Sequence, residues 1–285
     1  MAALVALGAA VAFALAAVLQ QRGTLEVPSG SDDPRFFARL VRRPVWLAGA
    51  ALNVVGWILQ AVALDLGPLM VVQTIVTLSL VIALPFGVWL TRQRVGRREA
   101  LAALAAVAGI SVFIVVGDPA TGVATGTRGA WIAAGALVTA LIAGLVFAQR
   151  TRRPGPAATA VVLGTAAGAC FGFQAAATKV FVGVVPDGLA AILGSWSTYA
   201  LIVSALVGFV LQQSALKTGV LASAMASTNV ANMVVSVALG ALVFEETLSH
   251  EDHRFAVSAA ALAVALFAVV TLTRASAPRP RAAAA

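Results

Sequence analysis

Ten polar side chains interrupt otherwise apolar stretches of this chain: Asn53, Gln60, Gln73, Thr77, Gln174, Lys179, Gln212, Asn229, Asn232 and Ser236. They are amides, hydroxyls and one ammonium, groups that bind a solute or an ion by hydrogen bonding but supply no nucleophile paired with a base. With about 100° between successive residues of a helix, Asn53, Gly56 and Gln60 share one face, and Met225, Asn229, Asn232 and Ser236 share another. Polar groups at bilayer depth face the interior of a bundle, so these residues are the candidates for a substrate cavity. The plainer alternative is helix-to-helix hydrogen bonding, worth about 0.6 kcal/mol for each bond. The cavity reading is preferred because the residues concentrate on equivalent helices of two halves, and it predicts that Asn53→Leu and Asn229→Leu abolish transport while the protein still folds.

The acidic residues are placed differently. All eleven (Glu26, Asp32, Asp33, Asp65, Glu99, Asp118, Asp187, Glu245, Glu246, Glu251 and Asp252) fall in connections or at the ends of apolar stretches. His250 and His253, three apart beside Glu251 and Asp252, could hold a divalent cation weakly. A solvated acidic loop is the expectation for that stretch. No phosphate-binding glycine loop, nucleophile elbow or metalloprotease motif is present, so neither enzymatic chemistry nor a cofactor is expected.

The elements that position these residues follow from composition. The 285 residues are 61% hydrophobic and 11% charged, with mean hydropathy +0.98, against about 25% charged in water-soluble domains. Apolar spans lie near residues 3–21, 45–64, 68–90, 100–117, 129–148, 158–182, 189–211, 219–244 and 255–273, each long enough to cross as a helix that satisfies its own backbone. The fold class is therefore all-α, a polytopic membrane protein of about nine transmembrane helices. A soluble enzyme, a disordered chain and a disulfide scaffold are excluded, the last because Cys170 is the single cysteine. The first span is expected to be a retained helix rather than a cleaved signal, since no basic region precedes it. Turn chemistry marks the breaks, as at Gly67-Pro68 and Pro154-Gly155-Pro156, and Pro85 should kink the third span.

The net charge of +8 does not point to nucleic acid, because the basic residues sit in short connections. Sixteen of the nineteen Lys and Arg fall on the odd-numbered connections and the C-terminus; only Arg128, Lys179 and Arg254 fall on the other side. The expected placement is a cell membrane (plasma or inner), with the N-terminus outside and the C-terminus cytoplasmic. Asp33 and Pro34 can start a short helix over 34–43 whose arginines meet lipid headgroups at the cytoplasmic surface.

The chain also repeats itself. Shifted by 152 residues, Gly56, Leu59-Gln60, Ala63-Leu64 and Gly67 fall on Gly208, Leu211-Gln212, Ala215-Leu216 and Gly219, and Thr77 falls on Asn229. Equivalent spans are five apart, so the halves cross in opposite directions, the inverted-topology repeat of secondary transporters. The basic stretch 92–98 aligns with the acidic stretch of Glu245 and Glu246, as a flipped copy requires. Chance similarity of helices rich in Ala, Leu and Gly is the competing explanation. The expected organisation is an N-terminal transmembrane half (1–128), a fifth span with a basic loop (129–156), a C-terminal transmembrane half (157–274) and a tail (275–285). Gly164, Gly168 and Gly172, four apart, predict close helix packing. Lys179 is expected near the outer end, snorkelling to headgroups or gating substrate.

Gln20-Gln21-Arg22-Gly23, Arg43-Pro44-Val45-Trp46, Ala63-Leu64-Asp65-Leu66-Gly67-Pro68-Leu69, Lys179, Trp196 and Leu211-Gln212-Gln213-Ser214-Ala215-Leu216-Lys217 follow one another in an order that resembles the drug/metabolite transporter (EamA-like) superfamily, most of all its NIPA-type branch. The resemblance spans about residues 1–275. It implies alternating access without ATP and, from the branch, movement of Mg²⁺ or another divalent cation. One departure bears on the cargo: where the branch carries a Glu in the second span, this chain has Asn53, Val54 and Val55. Mg²⁺ prefers carboxylate oxygens and gives up its waters reluctantly, so an exporter of small organic metabolites, amino acids or drugs is the alternative, and a membrane scaffold a third. The expected partners are an ion or small-molecule substrate and the lipid bilayer, without nucleic acid. The oligomeric state stays open, a homodimer being compatible with the sequence.

Overall fold

A computed structural model describes residues 1–25, 42–91, 97–152, 154–216, 218, 221–248 and 252–275. Its helices are α1 (Ala2–Leu25), α2 (Pro44–Leu66), α3 (Leu69–Thr77), α4 (Ser79–Thr91), α5 (Arg97–Gly117), α6 (Arg128–Arg152), α7 (Pro156–Val184), α8 (Leu189–Gly194), α9 (Trp196–Leu216), α10 (Leu221–Leu242) and α11 (Asp252–Ala275), with a 3₁₀ turn at Val185–Asp187. They supply nine helical segments long and apolar enough to cross a membrane. The protein is a multi-pass helical membrane protein. Among the described residues no strand is formed, and the β-type pairing is an isolated antiparallel bridge between Ala120 and Thr247. Proline starts α2 and α7 at their first position, where its missing N–H costs no helical bond. The surface helix expected over 34–43 falls outside the described residues except for Arg42 and Arg43, as does the tail beyond Ala275.

Two spans differ from the sequence reading. The third, expected as one helix over 68–90, is broken at Leu78 into α3 and α4, and Pro85 lies inside α4. The hydroxyls of Thr74 and Thr77 donate back to the Met70 and Gln73 carbonyls at 2.6 and 2.9 Å. Such back-bonding bends helices, and the Leu78 N–H turns to Ile75 O at 2.9 Å instead of continuing the α ladder. The seventh span, expected from residue 189, starts at Trp196, because Ser195 is extended and its Oγ accepts the Ser197 N–H at 3.3 Å.

Packing centres on α7, which lies against both α9 and α10, while α1 lies against α2 and α5 against α11. The glycine run does what its spacing predicts. A Cβ on Gly168 would collide with the Thr228 carbonyl of α10, and one on Gly172 would stand 2.8 Å from Val235 Cβ. Gly56 of α2 leaves room for the Phe13 ring of α1, and Gly208 of α9 for the Phe171 ring of α7, each 2.8 Å from a would-be Cβ.

One end of the bundle is shut by side chains from both halves. Ala6, Leu64, Leu69, Val72, Trp131, Ala176, Val180, Val243 and Phe244 form one buried cluster there. The 118–127 connection lies along 243–247, with the Ala120 N–H on Thr247 O at 2.9 Å and the Val123 N–H on Phe244 O at 2.7 Å. The Trp131 ring meets Phe173, Trp196 and Phe244 at centroid distances of 5.8, 4.6 and 5.7 Å.

Candidate functional site

The start of the third span places a helix N-terminus inside the protein. α3 begins after Gly67-Pro68, and Pro68, in its cap position, offers no side-chain acceptor to the first N–H groups. An uncapped buried start would strand those donors. The acceptor comes from 177 residues further on: Glu246 Oε1 takes the Leu69 N–H at 2.5 Å, and Oε2 takes the Met70 N–H at 2.9 Å. A carboxylate at the positive end of a helix is favourable on charge as well as on hydrogen bonds.

Lys179 of α7 completes the arrangement. Its Nζ donates to Glu246 Oε1 at 2.6 Å and lies 4.8 Å from the centroid of the Phe244 ring. The Glu246 side chain is fully buried, and that of Lys179 is 11% exposed. The carboxylate thus accepts two backbone N–H groups and one ammonium, the dense satisfaction that a buried charge needs.

The loop after α10 is shaped to deliver it. Glu245 adopts a left-handed backbone (φ 55°), and the Glu246 N–H returns to Gly240 O at 2.9 Å. Gly240 makes space for the carboxylate, since a Cβ there would stand 2.6 Å from Glu246 Oε2.

Gln73 lies one turn further along α3, on the same side as Leu69. It is 1% exposed, and neither its amide nitrogen nor its amide oxygen has a hydrogen-bond partner. An amide buried this way carries a desolvation cost of about 1–3 kcal/mol. Groups left in that state mark strain, a catalytic role or an absent water or ligand.

The remaining candidates divide into groups. Thr77 and Asn229, 152 residues apart, each donate to the carbonyl four residues back, at 2.9 Å in both cases. Ser236, fully buried, donates to Asn232 Oδ1 at 3.4 Å within α10. Gln60, Gln174 and Gln212 are half-buried, and the Gln174 carbonyl accepts the Thr178 hydroxyl at 2.8 Å. Asn53 is exposed and stands apart from the closed end. A cleft of about 410 Å³ between α6, α7, α10 and α11 is lined mainly by apolar side chains, among them Leu141, Val161, Val230, Val234 and Val270; none of the ten candidates borders it.

Sequence reasoning missed Glu246 by assigning it to a solvated acidic loop, and it named Lys179, as a snorkelling or gating residue, without the partner that the structure gives it. The overlooked signals were Gly240, six residues before Glu246, and the apolar pair Val243-Phe244 leading into it. His250 and Glu251 lie outside the described residues, and His253 is exposed. Among the described residues no group of three or more His, Cys, Asp or Glu side chains is placed to hold a metal ion.

The chain is similar to an uncharacterized protein of Corynebacterium glutamicum, 29% identical over 279 residues, which cover 97% of this chain and 96% of the relative. No family model matches the chain. No solved structure matches it either.

Proposed function

We propose that this chain is a secondary transporter of the cell membrane, working by alternating access between two inverted-topology halves. The observation that carries this reading is the closed end. There the N-terminus of α3 is capped by Glu246 and, through it, tied to Lys179 of α7, while a buried amide one turn along α3 stays unpaired. Helix N-termini that meet an anionic group are a recurring device of secondary transporters. The matched Gly56–Phe13 and Gly208–Phe171 contacts support the repeat. The distribution of Lys and Arg supports an external N-terminus, and this makes the closed end the outer one. No catalytic step is assigned.

The resemblance to the NIPA-type branch points to Mg²⁺ or another divalent cation as cargo. A second reading, export of small organic metabolites or amino acids, is favoured by one observation. The buried carboxylate of Glu246 is already committed to an ammonium and two N–H groups, and the other candidates are uncharged apart from Lys179. Flux decides between the two. Purified protein in liposomes loaded with a Mg²⁺-sensitive dye should admit Mg²⁺ saturably, and Asn229→Leu should stop it, if the cargo is the cation. Folded, inserted protein that moves labelled amino acids and no Mg²⁺ supports the second reading. Protein that moves neither is a scaffold, and the transporter proposal fails.

A further inference from the structure

We propose that Lys179 and the N-terminus of α3 form a carboxylate-binding subsite, filled in this conformation by the chain's own Glu246. The donors converging there are one ammonium and the N–H groups of Leu69 and Met70, at the positive end of a nine-residue helix. Every one of them favours an anion and repels a metal cation. Three donors shared over two oxygens fit a carboxylate in shape as well as charge. The occupant is supplied neither by α3 nor by α7. It arrives on a loop through the left-handed turn at Glu245, with Gly240 leaving the space it fills, so it can withdraw without either helix unwinding.

Gln73 is the second observation. Its amide is buried one turn along the same face of α3 and is unpaired at both atoms. It offers a donor and an acceptor to the remainder of a solute whose carboxylate takes the place of Glu246. The physiological use of the subsite rests on the transporter reading, in its organic-solute form; the binding chemistry does not.

Chemical rescue tests it with acetate as the probe. In detergent, Glu246→Ala should unfold at a lower temperature than the wild type. Sodium acetate should restore the loss saturably, whereas sodium chloride at equal ionic strength should not. The wild type, with its own carboxylate in place, should not respond, and adding Lys179→Met to Glu246→Ala should remove the rescue. If Glu246→Ala does not fold without an added anion, the same variant extracted and purified in sodium acetate should be recovered folded, and in sodium chloride at equal ionic strength it should not. Absence of acetate-specific recovery in Glu246→Ala overturns the proposal, and so does an equal response of the wild type. Recovery by acetate in a protein that carries no flux would leave the subsite standing and remove the transporter reading.

Discussion

The third and eighth spans, which the 152-residue shift lays on one another, differ in what their polar groups are left to bond. α10 runs unbroken from Leu221 to Leu242, and its hydroxyls and amides largely bond within the helix: Thr228 to Ala224 O at 2.8 Å, Asn229 to Met225 O at 2.9 Å, Ser236 to Asn232. The third span is split at Leu78. Where α10 has Met225, it has Gln73, buried and unpaired. Thr74 and Thr77 of α3 bond back within their helix as the α10 groups do, but α3 also holds a helix start and an amide whose partners must come from elsewhere. Glu246, carried on the loop that follows α10, supplies the first of those partners. The unmet and borrowed hydrogen bonds of this end therefore lie on α3, while α10 packs as a wall against α7.

The strongest way to break this contrast is to remove the cation. Lys179→Met leaves Glu246 buried with two N–H donors and no counter-charge, and deleting one partner of a buried pair costs about 3–5 kcal/mol. Reversible unfolding in mixed micelles should show a loss of that size, together with loss of flux. Adding Glu246→Gln should recover much of the stability, because the uncompensated charge is then gone. A loss in Lys179→Met below about 1 kcal/mol, the range of exposed pairs, would mean that the ion pair is solvated and the end is not closed by it.

The wall is tested through its glycines. Gly168→Ala drives a methyl into the Thr228 carbonyl and should cost about 1–3 kcal/mol through overpacking. Gly183→Ala, on the same helix with nothing within 4 Å, should be neutral or slightly stabilising. Equal effects at the two positions would show that α7 and α10 do not meet as tightly as their backbones indicate.

How much of this was legible follows from the kind of signal involved. The spans were readable because runs of apolar residues long enough to cross a bilayer have few alternatives. The packing of α7 was readable because glycines four apart fall on one face. Lys179 stood out as a charge on an apolar helix, but its partner did not. Periodicity describes elements, and Glu246 reaches the interior by a turn between elements, 67 residues away in sequence. The break at Leu78 was hidden for a related reason. Thr77 read as a candidate for the substrate cavity and Thr74 was not singled out, and only the direction of their hydroxyls turns them into a bend.

The next test separates function from stability on α3. Gln73→Leu replaces an unpaired amide with an apolar side chain of similar size, so unfolding should be unchanged or stabilised by about 1 kcal/mol. Flux should nonetheless fall at least tenfold if the amide holds solute. Unaltered flux would reduce Gln73 to a packing residue with a cost and no use.

A small loss of stability is expected on the wall, four residues beyond the Met225 that aligns with Gln73. Asn229→Leu removes one bond to Met225 O, and hydrogen bonds in membranes average about 0.6 kcal/mol. The sequence reading expects transport to vanish here, since Asn229 and Thr77 occupy equivalent places. The geometry expects less, because the Asn229 Nδ2 already donates within its own helix and must break that bond to reach a solute. Flux measured beside Gln73→Leu ranks the two. If Asn229→Leu is the more damaging, the opposite half exposes its own site when the closed end opens, and the two spans work in turn. If Gln73→Leu is, the first half carries the binding and the repeat supplies the motion alone.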